Sequence, residues 1–105
     1  MFTVVWLVKK RLDLSQEEFT RYWIQEHTPI TAATPGIRAY RCYPMTAHDG
    51  AEPAFDAIAF ATFDDEAAWR SAEQSSEFQA AVEDAFNFQD IDKTQEFFAQ
   101  EFIIR

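Results

Sequence analysis

The chain has 105 residues, 48% hydrophobic and 16% aromatic, with eleven Phe and three Trp: ample for one core, too short for two, and too apolar for a disordered segment. Eighteen acidic residues against nine basic give a formal charge of -9, and the only basic run, Lys9-Lys10-Arg11, is short; nucleic acid and anionic membrane are therefore not expected partners. No apolar run reaches the roughly 18 residues of a membrane span and no leader pattern is present, so a single cytoplasmic domain over residues 1–105 is expected.

In chain order, the run Met1 to Val8, MFTVVWLV, is β-branched and aromatic and ends at Lys9-Lys10-Arg11, which predicts a first strand with two apolar faces. Ser15 with Glu18 reads as a capping box, and Leu14 with Phe19 as the accompanying hydrophobic staple. Phe19, Tyr22, Trp23 and His27 follow at helical spacing, and Pro29 argues for a stop, so the first helix is predicted from Ser15 to His27. After the turn Pro35-Gly36, Ile37 to Met45 reads as a second strand, and Phe55 to Phe63 as a third, with a polar loop between. Asp64-Asp65 can cap a second helix, Ser76 with Gln79 suggests another capping box before Phe78, Val82 and Phe86, and Phe97 to Ile104 closes the chain as a last strand.

The order β-α-β-β-α-β predicts an α+β, ferredoxin-like fold, an antiparallel sheet with its helices on one face. An antiparallel sheet ordinarily shows one polar face to water, and here the first and third strands have none. The economical cover is a second copy of the chain, sheet to sheet, with an enclosed space between them.

Few residues in this apolar pattern can move a proton. His27 stands at the end of the first helix, four residues after Trp23 and so on its inward stripe; it reads either as a helix-end cap or as a general acid or base. Tyr40, in the second strand, reads either as packing or as a hydrogen-bond donor to a ligand oxygen. Asp56 and Asp84 stand among apolar neighbours, where pairing with Arg or a backbone cap is the expectation, and Cys42, the lone cysteine, reads as an inert thiol. Two histidines and one cysteine offer no metal cluster, and with Gly36 and Gly50 as the only glycines there is no phosphate loop, so no cofactor is expected.

Taken together, Ser15-x-x-Glu18-Phe19, Tyr22-Trp23, Glu26-His27-x-Pro29, Pro35-Gly36-Ile37-Arg38-x-Tyr40, Phe55-Asp56-x-Ile58, Ser76-Glu77 and Asp84 with Phe88 resemble the EthD family of dimeric α/β-barrel proteins. The specific part is Phe19 to Tyr40. The resemblance implies a ferredoxin-like subunit paired sheet to sheet, and a pocket between sheet and helices with His27 and Tyr40 near it. Related enzymes of this superfamily rearrange or cyclise lactones and polyketides, or assist the breakdown of ethers and aromatic compounds. The reading is a cofactor-independent isomerase, cyclase or lyase acting by proton transfer on a small apolar carbonyl, lactone or aromatic compound, with His27 and Tyr40 catalytic and Trp6, Trp23, Phe60 and Phe63 lining the pocket. The alternative is a homodimeric protein that binds such a metabolite without transforming it.

Overall fold

A computed structural model describes residues 1–105. Strand β1 (Phe2–Val8) runs through the middle of a four-stranded antiparallel sheet, between β3 (Ala57–Phe63) and β4 (Gln95–Gln100), with β2 (Ala39–Pro44) outside β3. The sheet order β2-β3-β1-β4 is that of the ferredoxin-like fold. No helix is long and apolar enough to cross a membrane.

Strand alternation divides the apolar residues between two faces. Val4 and Val8 of β1 and Ala57, Ala59, Ala61 and Phe63 of β3 are buried toward the helices, where they meet Phe19, Trp23, Trp69, Phe78 and Phe88. The odd positions Val5 and Leu7 and the even positions Ile58 and Phe60 take the other face, where Phe60 meets Tyr43 edge-on with ring centroids 5.9 Å apart. That face carries no helix.

The first helical segment begins as the sequence predicts. Ser15 Oγ accepts from the Glu18 amide at 3.0 Å, and Glu18 Oε1 accepts from the Ser15 amide at 3.0 Å, ahead of α1 (Gln16–Tyr22). Removing the hydroxyl in Ser15→Ala should cost about 1 kcal/mol, read as a lower urea midpoint at unchanged slope.

The end of this segment differs from expectation, because the chain stays helical past Pro29. A wide π turn over Trp23–His27 leads into α2 (Thr28–Ala32). Pro29 lacks an amide, and the hydroxyl of Thr28 fills the gap by donating to the Ile24 carbonyl at 2.6 Å. The wide turn also sets direction. With 3.6 residues per turn, a four-residue repeat drifts about 40° per step round an α-helix, roughly 120° from Phe19 to Thr31. The wide turn winds part of that drift back, and Phe19, Trp23, His27 and Thr31 are all buried on one stripe.

The second helical region is two helices, α3 (Glu66–Glu73) and α4 (Ser76–Ala85). Asp65 caps α3, accepting from the Ala68 amide at 2.8 Å. The cap of α4 is Ser75, not Ser76: its hydroxyl accepts from the Phe78 amide at 3.1 Å, while Gln79 turns back to the Glu73 carbonyl. The last strand lies earlier than its apolar residues suggest. Gln95 and Glu96 belong to β4 because they face Leu7 and Trp6 across the ladder. Pairing ends where β1 runs out, Gln100 opposite Phe2 and the Glu101 amide on the Met1 carbonyl, which leaves Phe102, Ile103 and Ile104 exposed beyond the sheet.

Candidate functional site

Ala59, on the helix-facing side of β3, leaves room that a larger residue would fill. A cavity of about 380 Å³ lies there, between the sheet and the helices. Trp6 and Ala59 form its floor, Trp23, His27 and Thr31 one wall, Tyr40 an end, and Phe78 and Val82 of α4 with Phe86 just after it the opposite wall. Trp6 packs on Phe78 at 6.3 Å between centroids, and its indole donates to Glu96 Oε2 at 2.8 Å near Glu73, so the lining has an acidic margin. The cavity is contained in one subunit, on the helix side of the sheet rather than between two apposed sheets.

His27 closes the π turn and is 6% exposed. Its Nδ1 stands 2.8 Å from Asp84 Oδ2, and its Nε2 3.2 Å from Thr31 Oγ1, one turn further along the same helix. Asp84 is held in turn. The Tyr22 hydroxyl donates to Oδ1 at 2.6 Å, and the Asn87 amide donates to Oδ1 at 3.1 Å and to the Tyr22 hydroxyl at 3.2 Å. The Phe88 ring, 4.7 Å from the imidazole between centroids, covers its flank.

Burial lowers the pKa of His27 below the ordinary 6.5, against an opposing pull from Asp84. Burial also works to raise Asp84, but hydrogen bonds from Tyr22, His27 and Asn87 outweigh it and hold the carboxyl below its usual 3.8. The pair at neutral pH is thus a neutral imidazole beside a carboxylate.

A depressed histidine pKa means that the unfolded chain binds more protons than the folded one once the pH drops to about 6.5. The stability this group contributes is complete above that pH and declines as the pH falls toward the folded value; Asp84 adds a loss of the same sign below 3.8. Thermal unfolding followed by circular dichroism should show the midpoint falling from about pH 7 to about pH 5, and falling less in His27→Gln, which has no proton to gain.

Burial pushes the Tyr40 hydroxyl well above its ordinary 10, with Cys42, Thr31 and Trp23 around it, so it stays protonated at any physiological pH. The Cys42 thiol is raised by burial as well, in keeping with an unreactive side chain.

Of the residues singled out from sequence, the fold gathers Trp6, Trp23, His27 and Tyr40 on the cavity. It does not bring Phe60 or Phe63 there. Phe60 has the opposite parity to Ala59 and lies on the helix-free face, while Phe63 stands at the far end of β3, 5.4 Å from Trp69 between ring centroids. Asp56 accepts from the Lys10 amide at 2.8 Å, a backbone cap as expected. Asp84 departs from expectation, since its partners are Tyr22, His27 and Asn87 and not an arginine or the backbone. Thr31 and Asn87 carry no site reading in the sequence and Tyr22 stands there only as part of the helical stripe; the spacing His27 to Thr31, a single helical turn, is the one local signal. No three His, Cys, Asp or Glu side chains gather where a metal ion could sit.

The model of the EthD domain matches residues 11–92. The chain belongs to the EthD family. An EthD-family structure from Bacillus halodurans superposes with a TM-score of 0.84 at 20% identity over 97% of this chain and 99% of its own. A dimeric ferredoxin-like protein of unknown function from Thermobifida fusca gives 0.73 at 14% identity over 95% and 90%. SnoaB, a cofactor-independent oxygenase from Streptomyces nogalater, gives 0.67 at 15% identity over 99% and 97%. At these identities the likeness is one of fold. No curated protein matches this EthD chain.

Proposed function

We propose that this protein is a cofactor-independent enzyme of the isomerase, cyclase or lyase type that moves a proton on a small apolar carbonyl, lactone or aromatic compound. The observation that carries the reading is the convergence of a neutral imidazole and a firmly protonated phenol on one apolar cavity of about 380 Å³. A neutral His27 can take a proton from the carbon alpha to a carbonyl, the C–H electron pair moving into the new C=C bond of an enolate. Tyr40, still carrying its proton, donates a hydrogen bond to the oxygen on which the negative charge develops. Where the compound is β,γ-unsaturated the enolate extends to a dienolate, and return of the proton from His27 to its γ carbon, with the oxygen electron pair restoring the C=O and the double bond shifting to α,β, completes an isomerisation. A protein of similar fold, SnoaB, is described as a cofactor-independent oxygenase, which supports chemistry carried by side chains alone.

The functional unit in this reading is a homodimer joined through the helix-free sheet face, where Val5, Leu7, Ile58, Phe60, Tyr43 and Phe97 form a largely apolar surface that also carries Arg41. The dimeric relative from Thermobifida fusca supports it.

The test uses 2-tetralone, an apolar ketone with acidic alpha protons, in deuterium oxide, with loss of the alpha-proton signal followed by NMR. Wild type should accelerate exchange saturably. His27→Ala should lower the rate roughly 10²- to 10⁴-fold, and Tyr40→Phe roughly 10²- to 10³-fold, with fold retained. Saturable binding without exchange above the solvent rate would favour a binding protein instead. The cover that Thr31 places on Nε2 is the observation on that side.

A further inference from the structure

We propose that Asp84 is the positioning residue of this site: by accepting from His27 Nδ1 it fixes the imidazole as the Nδ1–H tautomer, so that the Nε2 lone pair is the one presented to Thr31 and the cavity.

A carboxylate has no proton to give, and each Asp84 oxygen already faces a donor: Oδ1 takes the Tyr22 hydroxyl at 2.6 Å and the Asn87 amide at 3.1 Å, and Oδ2 faces His27 Nδ1 at 2.8 Å. The hydrogen of the 2.8 Å contact must then sit on Nδ1. With the ring neutral, Nε2 carries the lone pair, and its 3.2 Å neighbour, the Thr31 hydroxyl, can donate to it or rotate toward a bound molecule.

The arrangement is more than a filled hydrogen-bond inventory. The three donors come from α1, from the π turn and from the loop after α4, so the carboxylate is fixed from three sides. It makes no bond to backbone and meets no lysine or arginine; its ion-pair partner is His27 alone. A carboxylate so placed would remain ionised and favour the imidazolium formed when Nε2 takes a proton. Its effect on turnover rests on the reading above, but the tautomer does not.

The chain has two histidines, His27 and His48, and the latter is exposed, so a sample labelled with ¹⁵N-histidine gives two imidazole patterns, assigned by His48→Gln. Long-range ¹H–¹⁵N spectra near neutral pH should show a protonated Nδ1 and an unprotonated Nε2 for His27. In Asp84→Asn the new amide can donate to Nδ1, and in Asp84→Ala the acceptor is gone; in both, the proton should move to Nε2. Exchange of 2-tetralone should fall roughly ten- to a hundredfold in Asp84→Asn. An Nε2–H tautomer in wild type overturns the proposal without any variant, and an unchanged pattern in folded Asp84→Asn and Asp84→Ala overturns it too. Equal exchange in wild type and His27→Ala would instead overturn the catalytic reading and leave the tautomer assignment standing.

Discussion

Placing a glutamate at position 60 should leave the chain monomeric. Phe60 sits on β3, on the helix-free face, edge-on to Tyr43 of β2, with Ile58 on the same strand and Val5 and Leu7 on β1. A carboxylate there would be desolvated against an apolar partner, a cost that Arg41, opposite position 60 on β2, offsets only in part. A central aromatic position of this kind carries about 2–4 kcal/mol of association, so Kd should weaken roughly 30- to 1,000-fold. The cavity lies on the opposite side of the sheet, so Phe60→Glu should keep its far-ultraviolet spectrum and its affinity for 2-tetralone. Light scattering behind size exclusion reads the mass. A wild-type chain at monomer mass, or a variant still dimeric, would mean that this face is not the interface.

Trp23→Ala should be the most destabilising single change on the helix side. The indole is 1% exposed, lies 6.1 Å from Phe19 between centroids, and belongs to the cluster of Val8, Ala57, Ala59 and Phe88. Truncating a buried tryptophan costs about 3–5 kcal/mol, because the transfer energy is lost and the hole collapses only in part. The alanines beneath it cannot reach into the space, which places the expectation at the upper end. Against a typical stability of about 5–15 kcal/mol this is a large fraction. Urea unfolding measures it, with Trp23→Phe as the conservative partner expected to recover much of the loss. A loss below about 1 kcal/mol would show that the cluster repacks.

The parts of the fold legible in the sequence are those written locally. Ser15 and Glu18 announce their helix because both halves of the capping box lie within four residues. The alternation of the third strand separates Ala57, Ala59 and Ala61 from Ile58 and Phe60, but with both faces apolar it is the structure that turns the alanines, with Val4 and Val8, inward. His27 was legible as inward because it follows Trp23 by four. Its partner was not: Asp84 is 57 residues away, and nothing in the spacing of either residue announces the other. The π turn escaped for a different reason. Pro29 signals a stop unless the gap it leaves is filled, and the filling is done by the Thr28 side chain, which carries no sequence signature of its own. The cavity itself is a consequence of smallness. Ala59 attracts no notice in a strand, yet it is the residue beneath the open space, whereas Phe60 and Phe63 attract notice by size and stand elsewhere.

The most direct test of proton transfer at His27 is a crystal structure of the protein soaked with 2-tetralone. The account predicts the ketone inside the cavity, its oxygen within hydrogen-bond reach of the Tyr40 hydroxyl and an alpha carbon facing His27 Nε2, with the Thr31 hydroxyl turned aside. A ketone seated on the helix-free sheet face, or lying in the cavity with its carbonyl turned toward Glu73 and Glu96, would contradict it.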